Sequence, residues 1–123
     1  ISNFVVNALQ NDDIVIYGDG TQTRSFCYIS DLLNFFDKMI SSKLLGPINA
    51  GSPNEVSVLD LAKIIIEKTN SGSNIIYKDL PGDDPARRKP CINYAKNEIN
   101  WVPSVSLDKG IDLVIEYFKS ILI

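Results

Sequence analysis

Ile14-Val-Ile-Tyr-Gly-Asp-Gly-Thr-Gln-Thr-Arg-Ser-Phe-Cys-Tyr-Ile29 opens on a four-residue apolar run and turns at Gly18-Asp19-Gly20. It regains strand character over residues 24–29. This predicts two short strands around a glycine-rich loop, and spacing alone favours a β-hairpin with a polar tip. The two glycines open backbone conformations closed to other residues. A Gly-x-Gly that is not followed by a helix is no dinucleotide fingerprint. The loop does present an aromatic ring, Tyr17, and an arginine, Arg24, whose planar fork of donors suits phosphate oxygens.

Helical periodicity lies on both sides of this stretch. Residues 2–11 place Phe4, Val5, Ala8 and Leu9 on one face. Ser30 or Asp31 is the expected N-cap of a helix carrying Leu32, Leu33, Phe35, Phe36, Met39 and Ile40, which Gly46-Pro47 ends. Ile48-Asn49-Ala50 reads as a short strand stopping at Gly51. Asn49 and Gly51 are placed to approach a ligand, or simply to turn the chain. Ser57, with Asp60 three residues on, caps a helix burying Val58, Leu61, Ala62, Ile65 and Ile66, which ends near residues 70–72. Ile75-Ile76-Tyr77 is a further strand, 79–92 a long loop, and 93–99 a short helix leading to Trp101, a core residue. Ser106 caps a last helix with Ile111, Val114, Ile115 and Phe118 on its apolar stripe. The fold class is therefore α/β, a small mixed sheet with helices. Such short strands are expected to extend structure outside this chain.

The 123 residues are 45% hydrophobic and 22% charged, which excludes a disordered chain and allows one modest core. A net charge of −3 with no broad basic face argues against nucleic acid. With no histidine and two separated cysteines, Cys27 and Cys91, neither a histidine-based triad nor a zinc site is expected. The cysteines read as free thiols of a reducing compartment. No apolar run is long enough to span a membrane. The chain starts at Ile1 within a helical pattern, so the protein is expected to begin upstream.

A second candidate loop is Asp83-Asp-Pro-Ala-Arg-Arg-Lys-Pro90, either a solvated charged loop or a phosphate clamp stiffened by its prolines. Tyr28 and Asp31 could be polar site residues, although capping accounts for Asp31. The chemistry of a nicotinamide enzyme is missing. There is no glycine-rich strand-to-helix turn for a pyrophosphate. None of the five tyrosines has a lysine four residues later, the acid–base pair common in short-chain oxidoreductases. No catalytic, cofactor-binding or metal-binding residue is assigned to this chain.

Taken together, Tyr17–Asp31, Asp83–Pro90 and Trp101-Val-Pro103 resemble the UDP-glucuronate decarboxylases (UDP-xylose synthases) of the extended short-chain dehydrogenase/reductase superfamily. The opening Ile-Ser-Asn-Phe-Val-Val-Asn-Ala-Leu matches the helix that precedes the first motif. Ser25-Phe26 after Arg24, and the Arg-Lys-Pro run, point to decarboxylases among the relatives. The resemblance implies that residues 1–123 are a carboxy-terminal substrate-binding domain, with an NAD-binding Rossmann domain outside the chain. By position, Tyr17 would contact uridine, Arg24 the diphosphate with Gln22 beside it, and Arg88 would be a second phosphate ligand. The implied reaction oxidises the sugar C4 hydroxyl with NAD, releases the carboxylate as carbon dioxide from the β-keto acid, and returns the hydride to leave UDP-xylose. The alternatives are a dTDP-glucose 4,6-dehydratase, a UDP-sugar 4-epimerase, or a non-catalytic paralogue that binds nucleotide sugars. The resemblance also implies a homodimer, in the cytoplasm or, with an upstream anchor, the Golgi lumen. Cys91 stands where the family usually has Asp, and Ala50 where a larger aliphatic residue is usual.

Overall fold

The computed structural model describes residues 1–122. Its elements are α1 (Ser2–Gln10), β1 (Ile14–Tyr17), β2 (Thr23–Ser25), α2 (Ile29–Ser41), β3 (Glu55–Ser57), α3 (Val58–Thr69), β4 (Ile75–Lys78), β5 (Arg87–Arg88), α4 (Asn93–Ile99) and α5 (Leu107–Leu122).

Local chemistry sets most of the boundaries. Ser57 Oγ accepts the Asp60 N–H at 3.0 Å and donates to the Asp60 carboxylate at 2.7 Å, a reciprocal cap that starts α3. Ser106 Oγ accepts the Lys109 N–H at 3.2 Å at the start of α5. Helices α1, α3 and α4 all stop on an asparagine in the left-handed region: Asn11 at φ 57°, Asn70 at φ 51° and Asn100 at φ 49°. Asparagine enters that region at lower cost than other side chains, so it ends helices where glycine is not used.

The strands form two sheets. β1 and β4 pair in parallel, with Ile14 opposite Ile75. β2 lies at the centre of a mixed sheet, antiparallel to β3 and parallel to β5. The hairpin favoured by spacing is therefore absent: β1 and β2 part at the glycine loop and join different sheets. Gly20 accounts for the divergence. It sits at φ +80°, and a Cβ there would stand 2.9 Å from Leu59 Cβ and 3.3 Å from Ile16 Cγ2. Its carbonyl accepts the Leu59 N–H at 3.0 Å, so the loop is pressed onto the start of α3 and not onto its own return strand.

Two further expectations are corrected. Ile48-Asn49-Ala50 is not a strand; among the described residues no neighbouring backbone offers it a ladder. Asp31 is not an N-cap, because α2 already begins at Ile29 with Tyr28 at the cap position. The Asp31 carboxylate instead accepts Ser104 Oγ–H at 2.8 Å and the Val105 N–H at 2.9 Å, while its carbonyl accepts Trp101 Nε1–H at 3.0 Å. Burial would raise its pKa, but hydrogen bonding from Val105 and from the side chain and backbone of Ser104 outweighs burial and holds the carboxyl below the usual range. Strand structure after the glycine loop covers Thr23–Ser25 only.

The main core joins α1, α3, α5 and β1 through Val5, Ile14, Ile16, Leu61, Ile65 and Ile111. A second cluster packs Phe35 of α2, Ile92, Ala95 of α4 and Trp101. Phe35 and Trp101 meet edge to face, with ring centroids 5.1 Å apart. Trp101 is 1% exposed, as a core residue should be.

Candidate functional site

The site residues stand where β2 and the turn before it meet the 79–90 loop. Tyr17, Gln22, Arg24 and Asp84 line one open cleft of about 470 Å³, together with Phe4, Val15 and Val58. Tyr17, Gln22 and Arg24, which the resemblance assigns to the substrate, thus border one space.

Their local bonds assign different tasks. Gln22 is buried and donates Nε2–H to the Tyr17 carbonyl at 2.6 Å. It closes the glycine turn from inside and fixes where Tyr17 leaves β1. Asp19 accepts both the N–H and the hydroxyl of Thr21, at 2.9 and 2.7 Å, and these donors lower its pKa. Arg24 is held on three sides: Nη1 donates to the carbonyls of Thr23 (2.7 Å) and Pro85 (2.8 Å), and Nη2 to Asp84 Oδ1 (2.5 Å). A guanidinium has five N–H groups, so two remain for an anion. The ion pair with Asp84 also ties the second loop to the first.

Arg88 lies in a different cleft, with Ser25, Cys27, Gly51, Arg87 and Pro90 on its walls. It is nonetheless the register partner of Arg24 across the β2–β5 pair. Neighbouring strands run about 4.8 Å apart, so the two arginines spring from adjacent points of the backbone. Gly51 permits this packing: a Cβ there would come within 2.8 Å of Pro90 Cγ. Asn49 Nδ2 donates to the Cys91 carbonyl at 3.3 Å, a backbone contact that does not depend on the side chain at 91.

Glu55, on β3, escaped the sequence reading. Its carboxylate accepts Arg87 Nε at 2.7 Å and Nη2 at 2.5 Å together with Thr23 Oγ1–H at 2.8 Å. The Arg87 bonds, then Thr23, pull its pKa down to about 2. The only signal in the sequence was a lone carboxylate two residues before the Ser57 cap.

Both cysteines are free thiols, and partial burial followed by the Asp31 charge pushes the Cys27 pKa up. Among the described residues no cluster of three His, Cys, Asp or Glu could hold a metal ion, and no helix is long and apolar enough to cross a membrane. Nor do these residues fit a dinucleotide pyrophosphate. Gly18 and Gly20 lead from β1 into β2, and no glycine turn opens from a strand into a helix.

Residues 1–51 match the NAD dependent epimerase/dehydratase family. UDP-glucuronic acid decarboxylase 2 of Arabidopsis thaliana is 40% identical over 119 residues, which is 97% of this chain and 27% of that protein. The chain thus spans about a quarter to a third of the length of the curated relatives it matches. Among solved structures, a Thermotoga maritima UDP-glucose 4-epimerase with UDP-glucose superposes with a TM-score of 0.94 at 26% identity, over 98% of this chain and 39% of that one. A Bacillus cereus UDP-glucuronic acid 4-epimerase in complex with UDP-glucuronic acid and NAD gives 0.87 at 28% identity, over 96% and 38%. Along nearly its whole length the chain is therefore similar to one portion of the UDP-glucuronic acid decarboxylases, on the fold shared by extended short-chain dehydrogenase/reductase epimerases and dehydratases.

Proposed function

We propose that this chain binds the UDP part of a nucleotide sugar within an enzyme that decarboxylates UDP-glucuronate to UDP-xylose. The observation that carries the reading is the shared cleft of Tyr17, Gln22 and Arg24, with Arg88 one strand away in register with Arg24. Tyr17 is half exposed at the cleft edge, free to lie against a uracil ring. Gln22 supports it from behind. Arg24, already oriented by two carbonyls, meets a phosphate with little rotamer freedom left to lose. Arg88 takes the second phosphate. The role of these residues is to bind and orient the sugar, while NAD belongs to a part of the protein outside this chain.

The decisive experiment supplies the intact protein with UDP-glucuronate and NAD and measures carbon dioxide and UDP-xylose. Absence of carbon dioxide would refute the decarboxylase assignment. A 4-epimerase is the competing reading, favoured by the structural match to UDP-glucose 4-epimerase. It would invert C4 and release no carbon dioxide. For the binding role itself, Arg24→Ala should weaken UDP binding by about 1.5–3 kcal/mol, the range for a charge-assisted hydrogen bond. Titration calorimetry measures this directly, and unchanged affinity would reduce the loop to a structural turn.

A further inference from the structure

Arg87 and Arg88 are adjacent in sequence but do different things. Consecutive side chains of an extended strand point to opposite faces. Arg87 goes to Glu55, which grips it through two N–H···O contacts from the far side of the sheet, with β2 in between. Thr23 Oγ1–H, on the intervening strand, completes the same carboxylate. Lys89 Nζ stands 3.9 Å from it. Arg88 forms no ion pair among the described residues and is exposed.

Upstream, Arg24 holds the segment through the Pro85 carbonyl and the Asp84 carboxylate. β5 is two residues long, too short to be stable as a ladder by itself. Besides that pairing, the Thr23 N–H bonds to the Ala86 carbonyl (2.9 Å) and Ser25 Oγ–H to the Arg88 carbonyl (3.2 Å). Among the described residues, the bidentate Glu55–Arg87 pair is the hydrogen-bonded side-chain contact that reaches from β3 across β2 to β5. Bidentate arginine–carboxylate pairs fix orientation as well as distance.

We propose that Glu55 is a positioning residue: by holding Arg87 it locks β5 in register and aims Arg88 at the ligand's phosphate. The proposal rests on the nucleotide-sugar reading above. The device is insensitive to pH in the ordinary range. A carboxyl depressed to about 2 contributes fully above its ordinary value of 4.5, and the contribution is lost only as pH falls toward 2.

The test is a double-mutant cycle on the intact protein, with UDP and uridine as probes in titration calorimetry at neutral pH. Glu55→Gln should weaken UDP binding roughly fivefold, a typical coupling between residues sharing a network. It should leave uridine binding unchanged. In an Arg88→Ala background, Glu55→Gln should have no further effect. Exchanging the charges, Glu55→Arg with Arg87→Glu, should recover most of the UDP affinity. If Glu55→Gln does not fold, Arg87→Lys, which keeps the charge and loses the fork, must show the same pattern. A full effect persisting without Arg88, or unchanged UDP affinity in a protein that still binds UDP, overturns the positioning role alone. Failure of the unmodified protein to bind either UDP or uridine overturns the nucleotide-sugar reading and this proposal with it.

Discussion

Helices α3 and α2 both carry apolar stripes, yet they end in opposite environments. In α3, Leu61, Ala62 and Ile65 are buried against α1 and α5. In α2, Phe35 alone of the large apolar residues is buried, while Ile29, Leu33, Phe36 and Ile40 form an exposed row at i, i+4, i+7 and i+11, with Ile40 83% exposed. Helical spacing reports that a face is apolar but not what lies against it. The α3 stripe has its partners within this chain. Among the described residues the α2 row does not, and the neighbouring 48–50 segment, strand-like in sequence, joins no ladder.

The sharpest way to test that contrast is to hollow out the better-packed side. Ile65→Ala removes most of a fully buried side chain at the centre of the main core, and chemical denaturation should show a loss of about 2–5 kcal/mol. Asp31→Ala comes next. It leaves the Val105 N–H and Ser104 hydroxyl without their acceptor where α2 meets the 101–105 segment, and should cost about 1–3 kcal/mol by the same measurement. The smallest effect belongs to the exposed row. Phe36→Gln should change the stability of this chain by no more than about 0.5 kcal/mol. A loss as large as that of Ile65→Ala would show that the row is covered after all, and would erase the contrast.

The same contrast explains what could be read from the sequence. Ser57, Asn70 and Ser106 act on backbone groups within four residues, so their effects were legible and the ends of α3 and the start of α5 came out as expected. Tyr17, Gln22 and Arg24 share a cleft because they flank one turn. What joins residues far apart in the chain was not legible. β2 could as easily have returned onto β1, but it pairs with β3 and β5 while Gly20 packs against Leu59. Asp31 has the residue type of a cap but sits inside the first turn of α2, and its carboxylate is used 73 and 74 residues further on. Of the two arginines in the second loop, nothing local says which is gripped and which is free. That choice is made by Glu55, 32 residues away from Arg87.

The contact between Gly51 and Pro90 has a consequence for how variation around this site should be interpreted. The residue at 51 touches no ligand in the proposed arrangement, yet any side chain there would collide with the ring two positions after Arg88. A survey of variants scored only by catalytic output would flag position 51 as part of the nucleotide pocket. Its actual contribution is clearance: the space behind the loop limits which sequences can keep Arg88 in reach.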